Sequence, residues 1–109
     1  MKELADRIVA LGIGSNADDS NVYWKNDIPY RLTADKFTHS WEVAGALEDK
    51  CIEKDWSVST GKTGKYRQPG EDYYCRIESL MGTKSLACCY SDELRIAKVK
   101  AFVEALEAA

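Results

Sequence analysis

The stretch Lys62-Thr63-Gly64-Lys65-Tyr66-Arg67-Gln68 carries three cations and no acid, and Tyr73, Tyr74 and Arg76 follow it. Cations beside aromatic rings suit a phosphate with a stacked base. A guanidinium presents a planar fork of donors that can engage two phosphate oxygens at once, which makes Arg67 and Arg76 the first-choice phosphate partners. Tyr66 is the stacking ring and Lys65 a longer-range point charge. Lys65, Tyr66, Arg67 and Arg76 therefore form the candidate ligand-binding set. Tyr73 and Tyr74 are adjacent on an expected strand and point to opposite faces, so at most one joins this site. A blander reading competes and is the commoner one: a solvated hairpin tip whose lysines prevent edge pairing.

The other chemistry-bearing residues resolve into weaker signals. Thr60-Gly61-Lys62-Thr63 resembles part of a phosphate loop, but the position that should hold the first glycine is Trp56, and strand-like sequence follows instead of a helix. Glu48-Asp49 and Glu71-Asp72 are adjacent acids, which share no face of a helix or strand and fit a solvated surface. His39 is the single histidine and has no Ser, Cys or Asp at a diagnostic spacing, so a structural role is expected. The acidic run from Ser15 to Asn21 lacks the glycine and terminal glutamate of a calcium loop. Cys51, Cys75, Cys88 and Cys89 form no C-x-x-C pair and read as small buried hydrophobes rather than a zinc site. Cys88 and Cys89 should point to opposite faces of a strand. No catalytic residue, metal or cofactor is assigned.

A chain of 109 residues with 45% hydrophobic and 30% charged residues is a single domain, 1–109, able to bury an ordinary core. Its net charge of −3 argues against a globally basic binder of long nucleic acid. No apolar run approaches the ~20 residues that span a bilayer. The acid-bearing N-terminus is unlike a signal peptide. A cytoplasmic protein with reduced thiols is expected.

The elements that position these residues follow from periodicity. A first helix is expected over 2–11, stopped by Gly12 and Gly14. Residues 15–21 read as a surface loop, Val22-Tyr23-Trp24 as a short strand, Asn26-Asp27 as a turn, and Ile28 to Leu32 as an edge strand marked by Pro29. Ser40 caps a central helix over 40–54, with Trp41, Ala44, Leu47 and Cys51 as its apolar stripe and Gly45 kept for close packing. Strands follow at 56–60, 73–80 and 84–90, the last two joined by a turn at Met81-Gly82-Thr83. Ser91 caps a last helix buried through Ile96, Val99, Val103 and Leu106. Tight turns between strands predict an α+β domain, with an antiparallel sheet of three or four strands covered by helices.

Leu4-Ala5-Asp6-Arg7-Ile8-Val9-Ala10-Leu11-Gly12-Ile13-Gly14, then Ser40-Trp41-Glu42-Val43-Ala44-Gly45-Ala46-Leu47, then Val103-Glu104-Ala105-Leu106 resemble small bacteriophage proteins of the "phage ABA sandwich" domain family. The resemblance covers nearly the whole chain. The first two blocks together are distinctive, the third is generic helix, and the loop from Lys62 to Asp72 matches no family pattern. It implies an α-β-α layered domain made in the cytoplasm of an infected bacterium, with no catalytic residues to carry over. The resemblance supplies no mechanism; the absence of a catalytic constellation, the basic aromatic loop and the compact domain permit a non-enzymatic anti-defence sponge that sequesters a cyclic dinucleotide or cyclic ADP-ribose type of immune signal, and this is the expected function. A homodimer or higher oligomer is expected, because one small domain offers few concavities of ~300 Å³ or more. The alternatives are an adaptor that binds a host protein through Val22-Tyr23-Trp24, and a small phosphodiesterase-like enzyme.

Overall fold

The computed structural model describes residues 1–64, 68–79 and 84–109. The chain runs α1 (Lys2–Ala10), β1 (Ser15–Ala17), β2 (Ser20–Lys25), β3 (Ile28–Leu32), α2 (Ala34–Thr38), α3 (Trp41–Glu53), β4 (Ser57–Lys62), β5 (Tyr73–Glu78), β6 (Ser85–Ser91) and α4 (Leu94–Ala108). The strands form two antiparallel three-stranded sheets, ordered β1-β2-β3 and β4-β5-β6. The fold is α+β and layered, as the alternating and helical periods predicted.

The helix α4 is the hub. Ile96, Ala97, Val99, Ala101, Phe102, Val103 and Ala105 are buried around nearly its whole circumference, the signature of a helix enclosed by neighbours. It packs on β5 and β6, with α3 beside it. The expected central helix therefore packs chiefly on another helix, and it is α4 that lies on the sheet. Phe37, Leu47, Ile77 and Phe102 are fully buried in the shared core, and each such side chain contributes about 1.5–3 kcal/mol relative to exposure.

Local chemistry explains most boundaries. The Ser40 hydroxyl accepts from the Val43 N–H at 3.4 Å and opens α3, which closes at Lys54 before Asp55 turns left-handed at φ 59°. Asn26 and Asp27, at φ 52° and 63°, supply the doubly left-handed two-residue turn that suits a hairpin. Pro29 sits on β3, an edge strand.

Several expectations need correcting. The 15–21 loop holds β1, an Asp18-Asp19 turn and the start of β2, which pair through Ala17 and Ser20; polar turn residues had masked β1 and the first residues of β2, whose Val22-Tyr23-Trp24 centre was expected. The lead-in to α3 contains α2, capped by the Thr33 hydroxyl, which accepts from the Lys36 N–H at 3.2 Å. Trp41 is not on the buried stripe of α3. It is 56% exposed, and Val43 takes its place beside Ala44, Leu47 and Cys51. Among the described residues Gly45 has no packing role, for a Cβ there would meet nothing within 4 Å. Ser91 is buried at the end of β6, and α4 starts only at Leu94 with Glu93 as N-cap. The expected turn at Met81-Gly82-Thr83 lies outside the described residues.

Candidate functional site

The register of the β4-β5-β6 sheet sets the candidate site. Ser59 pairs with Arg76 and Gly61 with Tyr74 across β4 and β5, while Arg76 pairs with Cys88 and Tyr74 with Tyr90 across β5 and β6. Directly opposed residues share a face. Ser59, Gly61, Tyr74, Arg76, Cys88 and Tyr90 thus occupy the outer face, while Cys75 and Ile77 turn inward and are fully buried.

A concavity of about 380 Å³ opens on this outer face, lined by Ser59, Lys62, Thr63, Gly64, Tyr74, Arg76 and Tyr90. Lys62 and Thr63 reach it because the ladder continues past β4: the Thr63 N–H donates to the Asp72 carbonyl at 3.0 Å, and the Thr63 hydroxyl donates to the Glu71 carbonyl. The Thr60 to Lys62 segment belongs to a strand, which excludes the phosphate-loop geometry.

Arg76 is exposed and lies 3.9 Å from the partly exposed Glu78, a long surface pair worth little in water. Its pKa is raised, first by a hydrogen bond to Cys88 and next by the charge of Cys88, with Glu78 a further cause. The Tyr90 phenol is also raised, and its hydrogen bond to Cys88 is the leading cause. The site thus combines two cations, two phenol rings and two hydroxyls on a rigid sheet. Such a surface can hold a phosphate through Arg76 and Lys62 while a flat ring rests on tyrosine.

Of the candidate set, Arg76 is placed in this concavity. Lys65, Tyr66 and Arg67 lie outside the described residues, and Gly64, which precedes them, lines the cavity. Tyr74 joins the site and Tyr73 does not, as strand alternation required. Tyr90, Ser59 and Thr63 were missed. A signal for Tyr90 existed: Tyr74 and Tyr90 stand equally far from Gly82 in the sequence, and residues equidistant from a hairpin turn face each other.

Tyr73 contributes to a second concavity, of about 440 Å³, with His39, Trp41, Asp92, Glu93, Leu94 and Arg95. His39 Nδ1 lies 2.6 Å from the Asp35 carbonyl, so that nitrogen carries the proton. Nε2 lies 2.7 Å from Glu93 Oε2, an ion pair when the ring is charged. Arg95 donates to the His39 carbonyl and stacks 4.2 Å from the Trp41 ring centroid. These contacts fasten the ends of α2, α3 and α4 to one another, a structural use of the histidine. Among the described residues no group of three or more His, Cys, Asp or Glu side chains is placed to hold a metal ion, and no helix is long and apolar enough to cross a membrane.

No family model matches the chain, and no curated protein or solved structure gives a significant match.

Proposed function

We propose that the chain is a non-enzymatic binding protein that holds a small nucleotide-like anion on the outer face of the β4-β5-β6 sheet. The observation that carries this reading is the convergence of Arg76, Lys62, Tyr74 and Tyr90 on one concavity of about 380 Å³, within the size range of small-molecule sites. The three sequence blocks that resemble the phage ABA sandwich family support a phage origin. The biological role is then that of an anti-defence sponge in the cytoplasm of the infected bacterium, sequestering a cyclic dinucleotide or cyclic ADP-ribose type of signal. The shallow site favours a homodimer or higher oligomer, in which a two-fold axis brings a second wall to each cavity.

The test incubates the protein with a panel of cyclic dinucleotides and cyclic ADP-ribose species, removes free ligand, and heats the complex. A sponge releases its ligand intact. An enzyme returns altered product, and a protein-binding adaptor retains nothing. Arg76→Gln should weaken retention roughly 10- to 150-fold if the guanidinium makes a charge-assisted hydrogen bond. Unchanged retention removes this face as the site.

A second reading has its own observation. Ile28 and Tyr30 are large and about half exposed on one face of the β2–β3 hairpin, with exposed Trp24 on the other face, and the first of these faces supports an adaptor that docks on a host protein.

A further inference from the structure

Each sheet has two edges, and three of the resulting edge strands are blunted against pairing with another chain. β3 carries Pro29 and Arg31, and β1 is only three residues long and runs into Asp18-Asp19. The β5–β6 ladder slips by a residue, for Ile77 faces Ala87 while Glu78 faces Ser85. Proline, charge, shortness and a bulge are the devices by which sheet edges avoid one another. The fourth edge strand, β4, lacks them. Ser57–Lys62 keeps one unbroken register with β5, holds no proline, and carries its single charge at its last residue.

The free edge can be read residue by residue. The Thr63 N–H donates to the carbonyl of Asp72, the residue opposite it, which marks a hydrogen-bonded pair. Such pairs alternate along an antiparallel ladder. Ser57, Ser59 and Gly61 therefore turn their backbone groups toward β5, and Val58, Thr60 and Lys62 turn theirs outward. Among the described residues no backbone group bonds to these three on that side. Apart from β5, only α4 makes more than slight contact with β4, and Thr60 and Lys62 are exposed.

We propose that the β4 edge docks a second copy of this chain, β4 against β4, about a two-fold axis at Thr60. Antiparallel pairing around that axis sets Thr60 opposite Thr60 of the partner subunit and Val58 opposite the partner's Lys62. Every outward N–H and C=O of the three residues then has a mate, which no other register of β4 on itself achieves. The two Lys62 backbones stand roughly 14 Å apart, beyond the screening length of about 8–10 Å, so the only charges on the strand do not oppose the pairing. A foreign peptide added to an edge is selected by pockets for its alternate side chains. This edge offers short hydroxyls and a glycine instead, and a two-fold copy needs no pocket because one patch is used twice.

The outer face runs on across the axis. The partner's Ser59 lies beside Gly61 and the partner's Ser57 beside Thr63, so hydroxyls of the second copy join the wall of the concavity that holds Lys62, Thr63 and Gly64. The pairing gives a place to the dimer proposed above, and it rests on that reading only for the use of the cavity.

Sedimentation equilibrium at tens of micromolar, with no ligand present, should give a dimer. Thr60→Pro removes an outward N–H that the ladder to β5 does not use, and should give a monomer with an unchanged circular dichroism spectrum. Thr60→Cys is the second arm. Directly opposed residues of a hydrogen-bonded pair have Cα atoms about 5.5 Å apart, inside the roughly 4.4–6.8 Å span of a disulfide. Oxidation should therefore cross-link Thr60→Cys into a covalent dimer, mapped to that position by mass spectrometry. Ser57→Cys should not cross-link, because its two copies stand roughly 20 Å apart. A wild-type monomer overturns the proposal and leaves the edge to a strand of another protein. A folded Thr60→Pro protein that still dimerises overturns it too, as does a dimer in which Thr60→Cys cross-links no faster than Ser57→Cys. If Thr60→Pro unfolds, the cross-linking arm decides. Ligand retention is measured separately, so failure of the pairing and failure of the binding site are distinct results.

Discussion

Gly61 stands directly opposite Tyr74 across β4 and β5, and the tyrosine ring lies over its bare backbone. A Cβ on Gly61 would sit 3.1 Å from Tyr74 Cε1 and 3.2 Å from its hydroxyl oxygen. Glycine weakens a strand interior, and a cross-strand aromatic that covers it restores packing and excludes water from the ladder. The same contact fixes the ring that forms one wall of the candidate cavity.

Gly61→Ala should therefore displace the tip of the Tyr74 ring. Because the contact is with the far end of a side chain at an edge strand, stability should change by less than about 1 kcal/mol. Ligand retention should fall further than stability does. Thermal melts and ligand titrations on Gly61→Ala and Tyr74→Leu separate the two effects. Equal retention by both variants and the wild type would show that the Tyr74 ring is no part of the site.

Arg7 and Glu107 join α1 to the end of α4 in a forked pair, with Nε to Oε2 at 3.0 Å and Nη2 to Oε1 at 2.6 Å. The Arg7 hydrogen bond holds the Glu107 carboxyl below its ordinary value of 4.5. A depressed folded-state pKa gives stability that is present above the unfolded value and lost as pH falls through the folded one. Both side chains are more than a third exposed, so the pair contributes only about 0.2–1 kcal/mol. Glu107→Gln should lower the denaturation midpoint slightly at neutral pH, and the gap from wild type should close as the pH falls below the ordinary carboxylate range. A gap that persists undiminished in acid would show that the pair acts through packing and not charge.

Legibility in the sequence followed the length and contrast of each element. The α3 cap at Ser40 and the alternation of Tyr73 to Glu78 were readable because each rests on local chemistry. β1 and α2 were not, because Ser15–Ala17 and Ala34–Thr38 are too short to show a period. Trp41 satisfied the helical spacing of a core residue yet lies outside, since spacing cannot say that Arg95 will cover one face of its ring. The candidate site was half legible. Arg76 and Tyr74 could be named from residue type and alternation, whereas Tyr90 and Cys88 depend on the β5–β6 register. The location of the α4 start also escaped, because Ser91 looks like a cap but its hydroxyl accepts from the Glu93 N–H at 3.3 Å as the strand ends.

Gly14 offers a sharp test of the junction between α1 and the first sheet. It sits at φ +70°, and a Cβ there would lie 2.7 Å from the Val22 carbonyl oxygen and 2.9 Å from the buried ring of Phe37. Backbone cannot retreat as a surface side chain can. Gly14→Ala should destabilise by about 1–3 kcal/mol through left-handed strain and overpacking together. Chemical denaturation checks this, and a loss below about half a kcal/mol would mean that the β1–β2 hairpin can shift away from Phe37.

Gly45 is the opposite case, although it too is a glycine in a tightly specified element. It lies exposed in the interior of α3 with nothing within 4 Å of a would-be Cβ, and its backbone is helical. No contact compensates for the conformational entropy that glycine loses when the helix forms. Gly45→Ala should raise stability by about 0.5–1 kcal/mol, chiefly by restricting the unfolded chain. Nothing in the folded domain opposes the change. A destabilised Gly45→Ala protein at low concentration would contradict this account of the helix. A variant that gains stability but loses oligomers in light scattering would show that the bare backbone at Gly45 is the surface on which a second copy packs.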